Sequence, residues 1–413
     1  MYNPLVLTKY AAPLNDIDLA GSRGRVLELL RMGQAGTRAE LATLTGLSRG
    51  AISFIVADLT QAGFLRMEPG DAAGRGRPGE RLYLNPQARL VLGIEVGEAR
   101  AVAVAADLHA RPLRSVTVAT AGPSGEQAVR AAIAAAQQVM TDVAGQPLLG
   151  AGVAVPGVVD ANGAIRMAPD LGWHDVPVAA PLRAALGGLP VEVANRAKAA
   201  AVGEHWSGAA RGVERMLYLS VSTGISLGIM IDGNLYRGAS LTEGELGHTT
   251  IDPDGPLCPC GNRGCLQTLA SGPALLALVR QLARSAPDSR LWHLTGGHLE
   301  RLSLAHLAEA LRDDDAVAAG ALQTVGRYLG IATANLINLF NPELVVLGGP
   351  VCRELPQLAE PVRLEVRKRA LGLAVAACRI VPSALDGDAP LVGSAALLLH
   401  GLLTGTVKQG VSA

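Results

Sequence analysis

Three of the chain's five cysteines fall within the run Cys258-Pro-Cys260-Gly-Asn-Arg-Gly-Cys265, and the run Glu245-Leu-Gly-His248 just upstream supplies an imidazole. Three thiolates and one imidazole complete the tetrahedral N/S set that zinc takes in structural sites, with no open position for an activated water. The spacing predicts one structural zinc per chain, held by His248, Cys258, Cys260 and Cys265. Metal binding then ties the loop at 255 to 266 to the segment that carries His248. Small cysteines buried in a Gly-rich turn are the competing explanation. Cys352 and Cys378 stand alone and read as core residues. A disulfide reading is disfavoured because cytosolic chains seldom carry structural disulfides.

That expectation of a cytosolic chain comes from the rest of the sequence. No apolar run reaches the roughly 18 residues of a membrane span, and the start, MYNPLVLTKYAAPLNDID, lacks both a basic head and an apolar signal core. A cytoplasmic protein with no membrane partner is expected. At 413 residues, 49% hydrophobic and 17% charged, the chain is too long for one ordinary core and predicts two or three well-packed units. Its formal charge is zero, but residues 22 to 89 carry ten Arg against six acids. Local positive charge of this kind attracts phosphate backbones.

Residues 22 to 65 read as three short helices. Thr37 caps the second with Glu40 reciprocating, Gly46 turns the chain, and Ser48 caps the third, whose Ile52, Ile55, Val56 and Leu59 recur at helical spacing. This predicts a helix-turn-helix. The extended segments at 64 to 67 and 81 to 84, joined by EPGDAAGRGRPGE, predict a winged hairpin. From Leu90 strand signals repeat, with an Ala-rich helix around 125 to 143, and a second copy of the plan starts at Met216. Asp232-Gly233 marks a tight hairpin within that copy. The expected fold is α/β: an N-terminal winged helix-turn-helix with a basic linker over 1 to 88, then a duplicated two-lobed domain over 89 to 413. The small lobe is expected at about 89 to 200 plus a C-terminal helix, and the large lobe at about 201 to 387.

The start of a second helix in such a motif faces the DNA major groove, so Ser48, Arg49, Gly50 and Ser53 are candidate contacts, with Arg38 on the preceding helix. Arg49 suits a guanine edge or a phosphate. Gly50, costly by about 1 kcal/mol inside a helix, fits either a close backbone approach or a frayed first turn. Arg75-Gly76-Arg77-Pro78 suits a flexible hook into a narrow A·T minor groove, or a plain linker.

The run Glu245-x-x-His248 followed by CPCGNRGC resembles the signature of the ROK family (repressors, unknown reading frames and sugar kinases). So do GVAVPGVVD at 152 to 160, APDLGW at 168 to 173, VEVANRAKAAAVGE at 191 to 204, TGISLGIMIDGNLYRG at 223 to 238, LASG at 269 to 272 and NLINLFNPELVVLGG at 335 to 349. An N-terminal winged helix marks the family's regulator branch, which includes xylose repressors. The resemblance implies an actin-like ATPase fold with a sugar cleft, and a homodimer or dimer of dimers on double-stranded operator DNA. It also implies repression of sugar-utilisation genes, relieved by a sugar or sugar-phosphate effector.

The resemblance breaks where catalysis would sit. Family kinases place an Asp base where this chain has Arg196, and a guanidinium cannot accept a proton. Their Asp-x-Gly-Gly-Thr phosphate loop is matched by Glu95-Val-Gly-Glu98-Ala, which brings in an extra carboxylate, and Ser226-Leu227 replace second-loop glycines. No kinase activity and no ATP binding are expected. An active kinase carrying a DNA-binding domain, and a DNA-binding protein with no effector, are the alternatives. The resemblance assigns effector contacts to Asn195, Glu245 and His248, with Asp170 replacing a common Asn, Gln267 a Glu, and Arg196 the base. Arg196 then either grips an anionic effector or pairs with Glu98 or Asp170 and fills the old catalytic space.

Overall fold

The computed structural model describes residues 17–69 and 80–407. It divides into two compact units: the described residues up to Trp206 with those from Pro390 onward, and Ser207–Ala389. Among the described residues no helix is long and apolar enough to cross a membrane.

The first unit opens with α1 (Ser22–Arg31), α2 (Arg38–Thr45) and α3 (Arg49–Gln61). The caps form where the sequence places them. Thr37 Oγ1 accepts from the Glu40 N–H at 3.2 Å, and Ser48 Oγ from the Ala51 N–H at 3.2 Å. The return arm of the expected capping box lands one residue early, because the Glu40 carboxylate accepts from the Gly36 N–H at 2.7 Å. Gly46 ends α2 at φ 73°, a left-handed conformation that glycine adopts without strain. Ile52, Ile55, Val56 and Leu59 are buried and fix the rotation of α3. The wing is the antiparallel pair β1 (Leu65–Pro69) and β2 (Glu80–Leu84), in register from Leu65 against Leu84 to Pro69 against Glu80.

In the same unit, β3 (Leu90–Val96), β4 (Arg100–Ala106) and β5 (Pro112–Ala119) form an antiparallel meander. After α4 (Gly125–Asp142) comes β6 (Leu148–Val155), parallel to β3. A small sheet of β7 (Val158–Val159), β8 (Ala164–Ala168) and β9 (Trp173–Pro177) follows, then α5 (Ala179–Ala185). Finally β10 (Val191–Asn195) runs parallel to β6 and leads directly into α6 (Arg196–Ser207). The sheet order is β10-β6-β3-β4-β5. The second unit repeats it as β15-β14-β11-β12-β13, from β11 (Met216–Val221), β12 (Ile225–Ile231), β13 (Asn234–Leu235), β14 (Leu344–Gly348) and β15 (Arg379–Pro382). The expected duplication is therefore present strand by strand. Asp232 and Gly233 join β12 to β13 with φ of 50° and 72°, as a tight two-residue hairpin requires.

The helix Ala389–Thr404 returns to the first unit. It lies so close to β6 that a Cβ on Gly152 would stand 1.7 Å from the Ser394 carbonyl oxygen. It also meets α1 and α6, and this seam is where the helix-turn-helix docks. Arg31 of α1 is 4% exposed, its guanidinium 3.8 Å from the centre of the Trp206 ring of α6. It donates to the Trp206 carbonyl at 2.7 Å and pairs with Glu28 at 2.6 Å. Leu27, Phe64, Leu84, Leu149, Leu399 and Leu402 supply the apolar surround.

Candidate DNA-reading helix, effector residues and metal centre

The cap residue Ser48 and Arg49, Gly50 and Ser53 of α3 are all exposed. A Cβ on Gly50 would meet only Ser48 Oγ, at 4.0 Å, so packing within the chain does not demand glycine there. Gly50 also sits behind a formed cap in regular helix rather than in a frayed turn. Arg38 is partly exposed and bridges α2 to the wing through a 2.6 Å ion pair with Glu80. Arg75, Gly76 and Arg77 lie outside the described residues. Sequence reasoning missed Phe54, which the buried pattern at 52, 55, 56 and 59 leaves facing outward.

The expected effector residues divide between the units, with Asp170, Asn195 and Arg196 in the first and Glu245, His248 and Gln267 in the second. Parallel pairing of β3, β6 and β10 sets Glu95 level with Ala154, and Ala154 level with Ala194. The first residue of α6 therefore stands beside the end of β3. Arg196 Nη2 donates to the Val96 carbonyl at 2.7 Å, and its Nε lies 3.2 Å from Glu95 Oε1, inside ion-pair range though out of line for a hydrogen bond. This corrects the expected pairing. Glu98 and Asp170 are exposed, and the strand register rather than loop proximity picks Glu95 as partner. Asn195 donates to the Gly157 carbonyl at 2.8 Å and accepts from the Ala197 N–H at 2.8 Å, which fixes its amide at the head of α6.

A second correction concerns Ser226 and Leu227. Both belong to β12, paired with Ser220 and Leu219, and Leu227 is buried in the core. The turn between β11 and β12 is Ser222-Thr223-Gly224, so these residues do not reshape it directly.

In the second unit, His248 ends a 3-10 turn (Leu246–His248), and the ligand atoms of His248, Cys258, Cys260 and Cys265 all lie within 4.8 Å of one another. Tetrahedral zinc with sulfur at about 2.3 Å separates neighbouring ligand atoms by about 3.8 Å. The Cys260–Cys265 sulfurs are 3.7 Å apart, and Cys258 Sγ is 3.7 Å from His248 Nδ1. The donor set and its spacing fit a metal ion. Gly264 permits the tight fold of this loop, with φ 61° and the Asp252 carbonyl oxygen 1.4 Å from where a Cβ would stand. A hydrogen bond from the Asn262 backbone N–H, then contacts with Cys258, Cys265 and His248, bring the Cys260 thiol down to about 7. Burial first, then the adjacent sulfurs, push Cys265 up to about 12. Gln267 donates to Cys258 Sγ at 3.6 Å, so in this structure it supports a member of the His/Cys cluster. Glu245 is half-buried at the head of the turn that ends in His248.

The profile of the ROK family matches residues 91–400. A xylose repressor of Bacillus subtilis is 31% identical over 370 residues, covering 89% of this chain and 92% of that repressor. A glucokinase of Thermotoga maritima is 34% identical over 288 residues, covering 69% of this chain and 90% of that enzyme. Among solved structures, a ROK family transcriptional regulator described as a homolog of E. coli MLC protein superimposes with a TM-score of 0.81 at 26% identity, covering 94% of this chain and 98% of that one. A ROK family glucokinase from Streptomyces griseus in complex with glucose and AMPPNP gives 0.66 at 33% identity, covering 75% and 98%. The duplicated fold, the His/Cys cluster and these likenesses agree: the chain belongs to the ROK family.

Proposed function

We propose that this protein is a DNA-binding repressor of sugar-utilisation genes, xylose genes foremost, relieved by a sugar or sugar derivative bound in a kinase-like domain that has lost catalysis. The observation that carries the reading is the winged helix-turn-helix built into the first unit, in a chain whose repressor relative matches it over 89% of its length. We assign residues 1 to 88 to DNA binding and 89 to 413 to effector sensing. Ser48, Arg49, Gly50 and Ser53 read the groove, Arg38 braces the wing, and Arg75 to Arg77 reach the minor groove. Two-fold operators call for a homodimer or a dimer of dimers.

The kinase-like domain does not phosphorylate sugar in this reading. At the base position Arg196 stays protonated and points at Glu95 and the Val96 carbonyl. That pairing neutralises the carboxylate matched to the phosphate-loop Asp. Asn195, Arg196 and Asp170 remain as candidate effector contacts in one unit, and Glu245, His248 and Gln267 in the other. His248, Cys258, Cys260 and Cys265 would hold one structural zinc, which supplies loop order rather than chemistry. Transmission follows from α6. The helix begins at Arg196, directly after Asn195, and near its other end Trp206 packs against Arg31 of α1, so a shift at the sugar-facing end reaches the DNA-binding module through one rigid element.

The test is a gel shift of the full-length protein on its upstream promoter fragment, titrated with xylose, glucose and their phosphates. Release by one of them is expected, and retention with every sugar would remove the effector. Calorimetry with wild type and Arg196→Ala separates sugar from sugar phosphate, since equal affinities in both proteins end any role for Arg196 in gripping an anion. The glucokinase likeness favours one second reading, an active kinase. ATP-dependent phosphorylation in a coupled assay would establish it.

A further inference from the structure

Phe54 on α3 is 66% exposed. The chain has only three phenylalanines, and Phe64 of the same module is buried. Burial of Ile52, Ile55, Val56 and Leu59 turns Gly50, Ser53, Phe54 and Ala57 outward, at the i, i+3, i+4, i+7 spacing of one helix face. That face is uncharged. Asp58, the acid of α3, is held at 2.6 Å by Arg23 of α1, and Arg49 adds a positive charge at the first turn. An interface between proteins would surround Phe54 with further apolar side chains, whereas its neighbours on this face are Gly, Ser and Ala. The floor of the DNA major groove offers the complement: scattered apolar thymine methyls between rows of phosphate.

We propose that Phe54 reads a thymine C5-methyl group in each half-site of the DNA this protein recognises, so that its specificity rests on an apolar contact as well as on Arg49. The small residues at 50, 53 and 57 let the helix sit deep enough for the ring to reach the base edge. The inference rests on the regulator reading and deepens it.

The experiment selects duplexes from a random-sequence pool with full-length wild type and Phe54→Ala. The selected duplex is then remade with deoxyuridine replacing each thymine in turn. Loss of one methyl contact weakens wild-type binding about fourfold at one thymine per half-site. Phe54→Ala still binds, is indifferent to that replacement and relaxes its preference at that base, while Phe54→Leu keeps the preference. A wild type indifferent to every deoxyuridine overturns the proposal, as does Phe54→Ala selecting the same sequences with the same uracil sensitivity. A changed oligomeric state in light scattering, with an unchanged uracil profile, reassigns Phe54 to a protein contact and also overturns it. A wild type that enriches no sequence at all removes the regulator reading as well.

Discussion

The two units share one strand order but differ in what lies between their meander and their parallel strands. In the first, β5 reaches β6 through α4, whose Ala128, Ala132, Ala135, Ala136 and Val139 are buried against the sheet. In the second, the path from β13 to β14 also holds packed helices, among them Ala316–Phe340 with Leu322, Val325, Leu329 and Ile337 buried, but it adds before them the His/Cys cluster, in a loop where Pro256, Leu257, Pro259, Asn262 and Arg263 are all exposed. A helix with an apolar face offsets its ordering entropy by burial. A Gly- and Pro-rich loop without such a face needs cross-links, which a metal held by the cluster would provide.

Removing those cross-links is the largest way to break the comparison. Cys258→Ser or a strong chelator should release the metal and abolish amide-exchange protection at 250 to 266, while α4 keeps its own. The scale is set by structural zinc, about 10 kcal/mol of apparent binding energy or more in small domains. Equal protection of the loop with and without metal would sink the idea. Elemental analysis of the native protein should return one zinc per chain.

Next in size is the packing of the first unit. Trp206→Ala removes a buried ring and the surface on which Arg31 stacks. A loss of about 3–5 kcal/mol in that unit's unfolding is expected, with earlier proteolysis of α1. A cost under 1 kcal/mol in calorimetry would show that the seam holds by other contacts.

A smaller effect is expected at Arg196. Arg196 and Glu95 side chains are 37% and 25% exposed, so solvent screens their pairing. Arg196→Ala should cost under about 1 kcal/mol in urea unfolding. A larger cost would give the pair a structural role equal to that of the seam.

The smallest effect is a pH dependence confined to the first unit. Burial lowers the pKa of His205 below its ordinary 6.5, and the charge of Glu28 only partly opposes this. His400 lies across from it, with ring centres 6.5 Å apart. The unfolded chain binds this proton more readily, so stability is full above about 6.5 and falls as pH drops through 6.5 toward the lower folded value. Melting curves between pH 7.5 and 5.5 should show this decline, and His205→Gln should flatten it. An unchanged slope in that variant would assign the effect elsewhere.

Legibility in the sequence followed range. The caps at Thr37 and Ser48, the turn at Gly46, the Asp232-Gly233 hairpin and the Cys258 to Cys265 loop depend on residues a few positions apart, and each formed where its residues stand. The partner of Arg196 was not readable, because it depends on how β3, β6 and β10 align. Ser226 and Leu227 were misplaced for a related reason: a motif match locates glycine positions but not the residue at which a turn becomes a strand. Arg31 and Trp206 are 175 positions apart, and nothing local in either segment announces the other.

The return of Ala389–Thr404 to the first unit sets an order of assembly. A ribosome makes the helix-turn-helix early, yet Leu399, Leu402 and Leu403, which line its docking seam, emerge only after all of Ser207–Ala389 has been synthesised. The seat of the helix-turn-helix is therefore complete only once the last turns of this helix have been made.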